Sequence, residues 1–361
     1  MTERNSRYFP DFNNDTSHFL WDLNKFINSI FVTFPNLELF VATMGIVTNI
    51  FHLIVLTRKS MMTSSTNVLL IGIGVHDLSV MLSVLAPMVD RADINGCDLP
   101  PSELRVYIEL FSYSITDLSR RCSLWLGVSL ALVRYLCLKS TRKLRPAKLG
   151  LIRFGWYIII ILTLISFLFT VPFHFRLTVV DFADWHPKPE CGFPENFTVR
   201  EYGYLQRPIY YENNVLVLKF NFLLNGIFSK ILPCILFIFL GFFLAKELKY
   251  VKESRKSIVK VNVSKKRPRT TKLVIYMTIS YLLAEFPAGI IIILQYALVE
   301  TPGFLVLLSS LTLLFNFLNT LNATVHCFIC FTMSIHYRNT VKRILYCSVK
   351  SVAEIRPFSR S

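Results

Sequence analysis

Seven apolar runs of spanning length, with the charges gathered in short clusters between them, predict an all-α membrane protein built as a seven-transmembrane helix bundle. The runs fall at about 37–57, 67–89, 104–138, 151–174, 214–245, 270–298 and 304–333. Each holds the ~20 residues that cross a hydrocarbon core about 30 Å thick. Lipid cannot satisfy open backbone groups, so each run must be a helix. The hydrophobic share of 53% decides little, because soluble domains approach it. The arrangement decides. The third and fifth runs are long, so they tilt or project into solvent. This divides the 361 residues into an N-terminal segment (1–36), a bundle (37–333) and a tail (334–361).

Lysine and arginine orient the bundle. Twenty-five of them lie in or at the edge of the loops after spans one, three and five, or in the tail. Eight lie in the N-terminal segment and the loops after spans two and four. The remaining six (Arg105, Arg120, Arg121, Arg134, Lys219 and Lys230) fall within spans. The N-terminus is therefore expected outside the cell and the tail in the cytoplasm. The Asn-x-Thr acceptors at Asn14 and Asn196 fall on the outer side, where glycosylation occurs. Asn262 and Asn322 also match, but this topology puts them in the cytoplasm and in a span. The first twenty residues lack a basic n-region followed by an apolar core, so no cleaved signal peptide is expected. The first span itself acts as the insertion signal.

The same topology sorts the eight cysteines. Only Cys97 and Cys191 face the oxidising side, one in each of the first two outer loops, and they most simply pair with each other. The other reading is two free thiols. Cys327 and Cys330 form a CxxC inside an apolar helix, where small core-packing thiols are expected and not a metal site.

Composition and motif also exclude. The net charge of +16 does not mark a nucleic-acid protein, because its cations flank membrane spans. No GxSxG, HExxH or Walker loop is present, and no cofactor motif. No transporter-type internal repeat, selectivity filter or gating-charge ladder appears.

Each span carries one polar or helix-bending residue: Asn49, Asp77, Arg134, Trp156, Pro233, Pro287 and Asn322, in chain order. Intramembrane polar residues are costly and usually functional. The surrounding stretches are Gly45-Ile46-Val47-Thr48-Asn49, Leu69 to Leu78 around Asp77, Ala131-Leu132-Val133-Arg134-Tyr135, Phe286-Pro287 and Asn322-Ala323-Thr324-Val325-His326. In order and spacing they resemble the rhodopsin-like (class A) G-protein-coupled receptors over roughly residues 37–345. Ser64-Ser65-Thr66-Asn67, Arg121-Cys122-Ser123-Leu124-Trp125-Leu126-Gly127 and Leu283-Ala284-Glu285-Phe286-Pro287 sharpen the likeness. So do His326 to Phe331, Met333-Ser334 and Tyr337-Arg338. They resemble the nematode serpentine receptors of class W, which are similar to FMRFamide-type neuropeptide receptors.

The pattern departs from the family where the family switches. Val133 replaces the acid before the span-three arginine, and Glu285 replaces the tryptophan two before the span-six proline. Ala323 and His326 replace the Pro and Tyr of the span-seven motif. The usual cysteine at the top of span three is absent, and Cys97 lies earlier, in the loop.

The resemblance implies residue roles. Asp77, with Ser123, Asn49, Asn319 and Asn322, is expected to line a water-filled switch cavity. Two readings stay open there: a sodium or proton site, or a hydrogen-bonded structural acid. Arg134 and Tyr135 are expected to meet a heterotrimeric G protein. Arg267 and Arg269, in a basic run at the start of span six, are expected to join them, the alternative being a lipid-facing charge patch. Pro233 and Pro287 are expected hinges, or static bends.

Thr116, Asp117, Arg120 and Glu285 are the candidate ligand contacts. Asp117 lies four residues before Arg121, so those two can instead pair along the helix. The outer loop at 175–213 holds six acids against four Lys and Arg, which leans towards a cationic peptide. Residues 335–346 read as a short amphipathic helix lying on membrane lipid, followed by Cys347 as a palmitoylation candidate. The expected function is a multi-pass plasma-membrane receptor for an FMRFamide-like neuropeptide, and not an enzyme. The competing readings are a chemosensory receptor for a small molecule, a non-coupling decoy, or a channel or transporter.

Overall fold

The structure, a computed structural model, describes residues 8–9, 12–86, 97, 99–142, 148–194, 196–257 and 267–354. Residues 141–142, 148, 213, 251–257, 267–272 and 346–354 are described by backbone alone. Seven helices among these are long and apolar enough to cross a membrane.

Helix α1 (Asn14–Phe31) precedes the first span and is stopped at its start by Asn13, whose side chain accepts from the Thr16 amide at 2.9 Å. It packs on the start of the seventh span through Phe9, which is fully buried against Phe304. Gly303 is required there, because a Cβ would fall inside the Phe9 ring. The described part of the N-terminal segment is thus folded onto the bundle, which its sequence did not suggest.

The spans follow as α2 (Phe34–Leu56), α3 (Ser65–Leu85), α4 (Glu103–Arg142) and α5 (Ile152–His174). The fifth is α6 (Glu212–Gly226), a π-helical turn (Ile227–Ile231) and α7 (Leu232–Ser257), followed by α8 (Arg267–Ala297) and α9 (Pro302–Met333). Pro35 and Pro302 start their helices at positions whose amides need no helical partner. The π turn sits one turn before Pro233 and widens the helix into the bundle. It accounts for the length of the fifth run, along with the projecting end of α7. Residues 87–96 of the expected second span and its following loop lie outside the described residues.

Helix α5 shows how the bundle faces lipid. Tyr157, Ile161, Leu164 and Leu168 form one exposed apolar stripe, with Leu168 at 68% exposure. A stripe of that size suits hydrocarbon and not water. The inner faces of α3, α4, α7 and α8 form the main core around Leu69, Leu126, Leu130, Phe237 and Leu273. After α9, Ser334 breaks the helix and its hydroxyl receives the Tyr337 amide. Helix α10 (Ile335–Glu354) then lays Tyr337, Thr340 and Val341 on the bundle. Tyr337, hydrogen-bonded to His52 at 3.0 Å, is the buried anchor, while Leu345 is exposed, as suits a residue facing lipid. The Cys347 side chain lies outside the described residues.

At the other end, strands β1 (Leu177–Trp185) and β2 (Val199–Gln206) form an antiparallel hairpin with an irregularity between Asp181 and Ala183. Cys191, in the hairpin's connection, is disulfide-bonded to Cys97, six residues before α4 begins. The bridge closes 94 residues of sequence. Replacing both cysteines with serine should lower stability by about 2–4 kcal/mol. Thermal unfolding of the purified protein with and without reductant checks this, and equal curves would refute it.

Candidate functional site

Beneath the hairpin lies a cavity of about 490 Å³ between α4, α5, α6, α8 and α9. Thr116, Asp117 and Arg120, all expected at a ligand site, line it. Tyr113 of α4 and Tyr204 of β2 meet edge to face at its rim. The hairpin therefore contributes directly to the cavity roof.

Adjacent arginines on α4 point to opposite sides, as the ~100° between successive helical residues requires. Arg121 turns towards α5 and the π turn. It donates to Asp117 at 2.6 Å, Ser229 at 2.7 Å, the Ser166 carbonyl at 2.9 Å and Thr170 at 3.0 Å. Thr170 in turn donates to Asp117 at 2.9 Å. Arg120 turns towards α2 and α9. It donates to Asn316 at 2.6 Å and to Glu38 at 3.2 Å, and Thr320 also donates to Glu38. Asp117 forms the helix-internal pair with Arg121 and also lines the cavity.

Glu285 pairs within the bundle. It is not on the cavity wall. It lies below, 4% exposed, ion-paired with Lys230 of the π turn, and Lys230 is the member that lines the cavity. A lysine deep in an apolar run needs a counter-charge, and Glu285 is a lone acid in another such run. That complementarity was the signal present in the sequence for this pair. Glu38, a lone acid in the first span facing Arg120 in the third, carried the same signal and was not among the expected residues.

Arg176, just past α5, completes the cavity's charged wall. Its guanidinium stacks over Phe173 at 4.9 Å, and its Nε is buried with no hydrogen-bond partner. Burial pulls it below the usual arginine range, against the pull of Tyr210 and Asp117. The same neighbourhood raises the Tyr210 phenol through burial. Guanidinium remains charged regardless. Among the described residues, the wall thus carries Arg120, Arg121, Arg176 and Lys230 with the carboxylate of Asp117.

Deeper in the bundle, Asp77 is 2% exposed. Ser123 donates to its Oδ1 at 2.7 Å, and His326 Nδ1 meets its Oδ2 at 2.7 Å. Tyr281 joins through Ser123 at 2.9 Å. Ser123 is where expected; His326 and Tyr281 were not foreseen as partners. None of the three expected asparagines bonds to Asp77. Asn49 donates to the Gly45 carbonyl at 3.0 Å and the Ala323 carbonyl at 3.4 Å. Asn319 lines the upper cavity. Asn49, Asn319 and Asn322 each keep a buried amide oxygen without a protein partner.

At the far end, Arg134 has no hydrogen-bond or ion-pair partner among the described residues, in keeping with Val133 beside it. Tyr135 packs on Phe243, with Lys139 above its ring. The Arg267 and Arg269 side chains lie outside the described residues. Pro287 is inside α8 and Pro233 starts α7 beyond the π turn. Asn14 and Asn196 are exposed.

Three likenesses bear on this arrangement. Residues 36–348 match the family described as "Serpentine type 7TM GPCR chemoreceptor Srw". The chain is 24% identical over 329 residues to the sex peptide receptor of Drosophila melanogaster, covering 84% of this chain and 70% of that one. It is 25% identical over 266 residues to the G-protein coupled receptor dmsr-1 of Caenorhabditis elegans, covering 68% of this chain and half of that one. With seven spanning helices, a roofed polar cavity and this match over most of its length, the chain belongs to the serpentine Srw family of G-protein-coupled receptors, as a multi-pass membrane receptor and not an enzyme.

Proposed function

We propose that the protein is a neuropeptide receptor that binds part of a short peptide in the cavity under the hairpin and activates a heterotrimeric G protein at the Arg134 end. The observation that carries this is the cavity itself. Its 490 Å³ takes a few side chains, it is lined by polar groups of several helices, and a disulfide-strapped hairpin roofs it. The relatives named for a sex peptide and as a G-protein coupled receptor support the class. The disulfide end is taken as extracellular, on the Lys and Arg asymmetry and the chemistry of the bridge.

The FMRFamide-type likeness supplies a short amidated peptide with an aromatic end. The arginine cation of such a peptide finds no free carboxylate among the described residues on the wall of this cavity. Both expected acceptors, Asp117 and Glu285, already hold an internal cation. The lean towards a cationic ligand rested on the acids of the outer loop. Of these, Asp181 is paired with Arg200, and none of the five described acids lines the cavity.

We also propose that His326, and not a sodium ion, is the counter-group of Asp77. A sodium ion bound to this carboxylate would compete with the imidazole already on Oδ2.

Cells expressing the receptor and reporting calcium and cAMP, screened with amidated neuropeptides, test the main reading. A peptide should activate. Arg134→Ala should abolish nucleotide exchange while leaving peptide binding within about twofold, because Arg134 is remote from the cavity and satisfies no buried carboxylate. Ligand-driven current without G protein would instead identify a channel or transporter. Robust surface expression with responses only to small volatile compounds would identify a chemosensor.

A further inference from the structure

We infer that the ligand of this cavity presents a carboxylate and that Arg176 receives it. The inference rests on reading the cavity as the ligand site, and it names the ligand chemistry there.

The charges around the cavity do not balance. Arg121 is neutralised by Asp117 and Arg120 by Glu38. Lys230 is neutralised by Glu285. Each of these cations also ties its helix to a neighbour, so all three are structural. Arg176 has no carboxylate partner among the described residues. Its one nearby acid, Asp117, is already held by Arg121 and Thr170. One uncompensated cation therefore faces a partly enclosed, low-dielectric space, which strengthens its attraction for an anion.

Arg176 is also held in place. Its carbonyl accepts the Arg207 amide at 2.9 Å, and its own amide reaches Phe173 O at 3.3 Å. Phe173 lies under the guanidinium plane. A planar fork fixed in this way suits bidentate pairing with a carboxylate. The same uncompensated charge opposes an arginine side chain beside it. The carboxylate has two sources in a peptide: an acidic side chain or a free C-terminus.

The purified receptor in nanodiscs, heated with four dipeptides at millimolar concentration, tests this. The probes are N-acetyl-Asp-Phe-amide, N-acetyl-Ala-Phe with a free carboxylate, N-acetyl-Ala-Phe-amide and N-acetyl-Arg-Phe-amide. Stabilisation by the first points to a side-chain acid, and by the second to a free terminus. Either supports the inference when the neutral and arginine probes stabilise less. In Arg176→Gln, which keeps the stem and its packing, affinity for the acidic probe should fall about tenfold or more. Stabilisation by the arginine probe, no stabilisation by either acid, or an unchanged acid response in Arg176→Gln would overturn it. The readout needs no G protein. Acid binding without signalling would leave this inference standing and sink the receptor function. Signalling by arginine-bearing peptides without dependence on Arg176 would do the reverse.

Discussion

Arg121→Leu is expected to destabilise the protein by about 3–5 kcal/mol, the largest effect of any single change at the site. The reason is what it leaves behind. Asp117 keeps only the Thr170 hydroxyl and becomes a nearly buried carboxylate without a counter-charge, its side chain 12% exposed. Ser229 and the Ser166 carbonyl lose their partner as well. Losing hydrogen bonds alone would be mild, since such bonds between membrane helices average about 0.6 kcal/mol. Stranding a charge costs several times more. The double change Asp117→Leu with Arg121→Leu removes both charges and should recover most of the loss. Melting of the four proteins of this cycle in the same detergent isolates the coupling. If the double variant is no more stable than Arg121→Leu, a stranded Asp117 charge is not the source of the loss.

His326→Ala should cost about 3 kcal/mol for the same reason, since it leaves the Asp77 carboxylate with only Ser123. It should also create a response to sodium. In the native protein the imidazole occupies Oδ2, so melting in sodium chloride and in choline chloride at equal ionic strength should coincide. In His326→Ala the carboxylate needs another counter-ion, and the unpartnered amide oxygens of Asn49, Asn319 and Asn322 are available to help hold one. Sodium should then stabilise the variant specifically. Asp77→Asn in the same background should remove that effect. Specific sodium stabilisation of the native protein would sink the idea that His326 stands in for the ion.

Both effects have one structural origin. The intramembrane charges around the cavity and beside Asp77 tie helices together. Glu38 and Arg120 join α2, α4 and α9. Arg121 joins α4, α5 and the π turn. Lys230 joins that turn to α8, and His326 joins α9 to α3. The family's switch positions carry Val133, Glu285 and His326, and two of these three have acquired new internal partners. Val133 has not, and Arg134 stands without one among the described residues.

What could be read from the chain was what is linear in it. Hydrocarbon thickness turns apolar length into spans, and lysine and arginine counts turn spans into orientation, so the bundle and the Cys97–Cys191 bridge were legible without coordinates. The Asp117–Arg121 pair was legible too, because helical geometry alone brings i and i+4 together. The hairpin was not read. Its β-branched run, Thr178-Val179-Val180, is short and sits inside a loop already defined by its charge. Only the tertiary structure decided the pairs separated by 55, 82 and 249 residues: Lys230 with Glu285, Arg120 with Glu38 and His326 with Asp77. Those depend on how each helix is rotated about its axis and which neighbour it faces. An apolar run long enough to span fixes neither, because lipid accepts any face that buries its polar groups elsewhere.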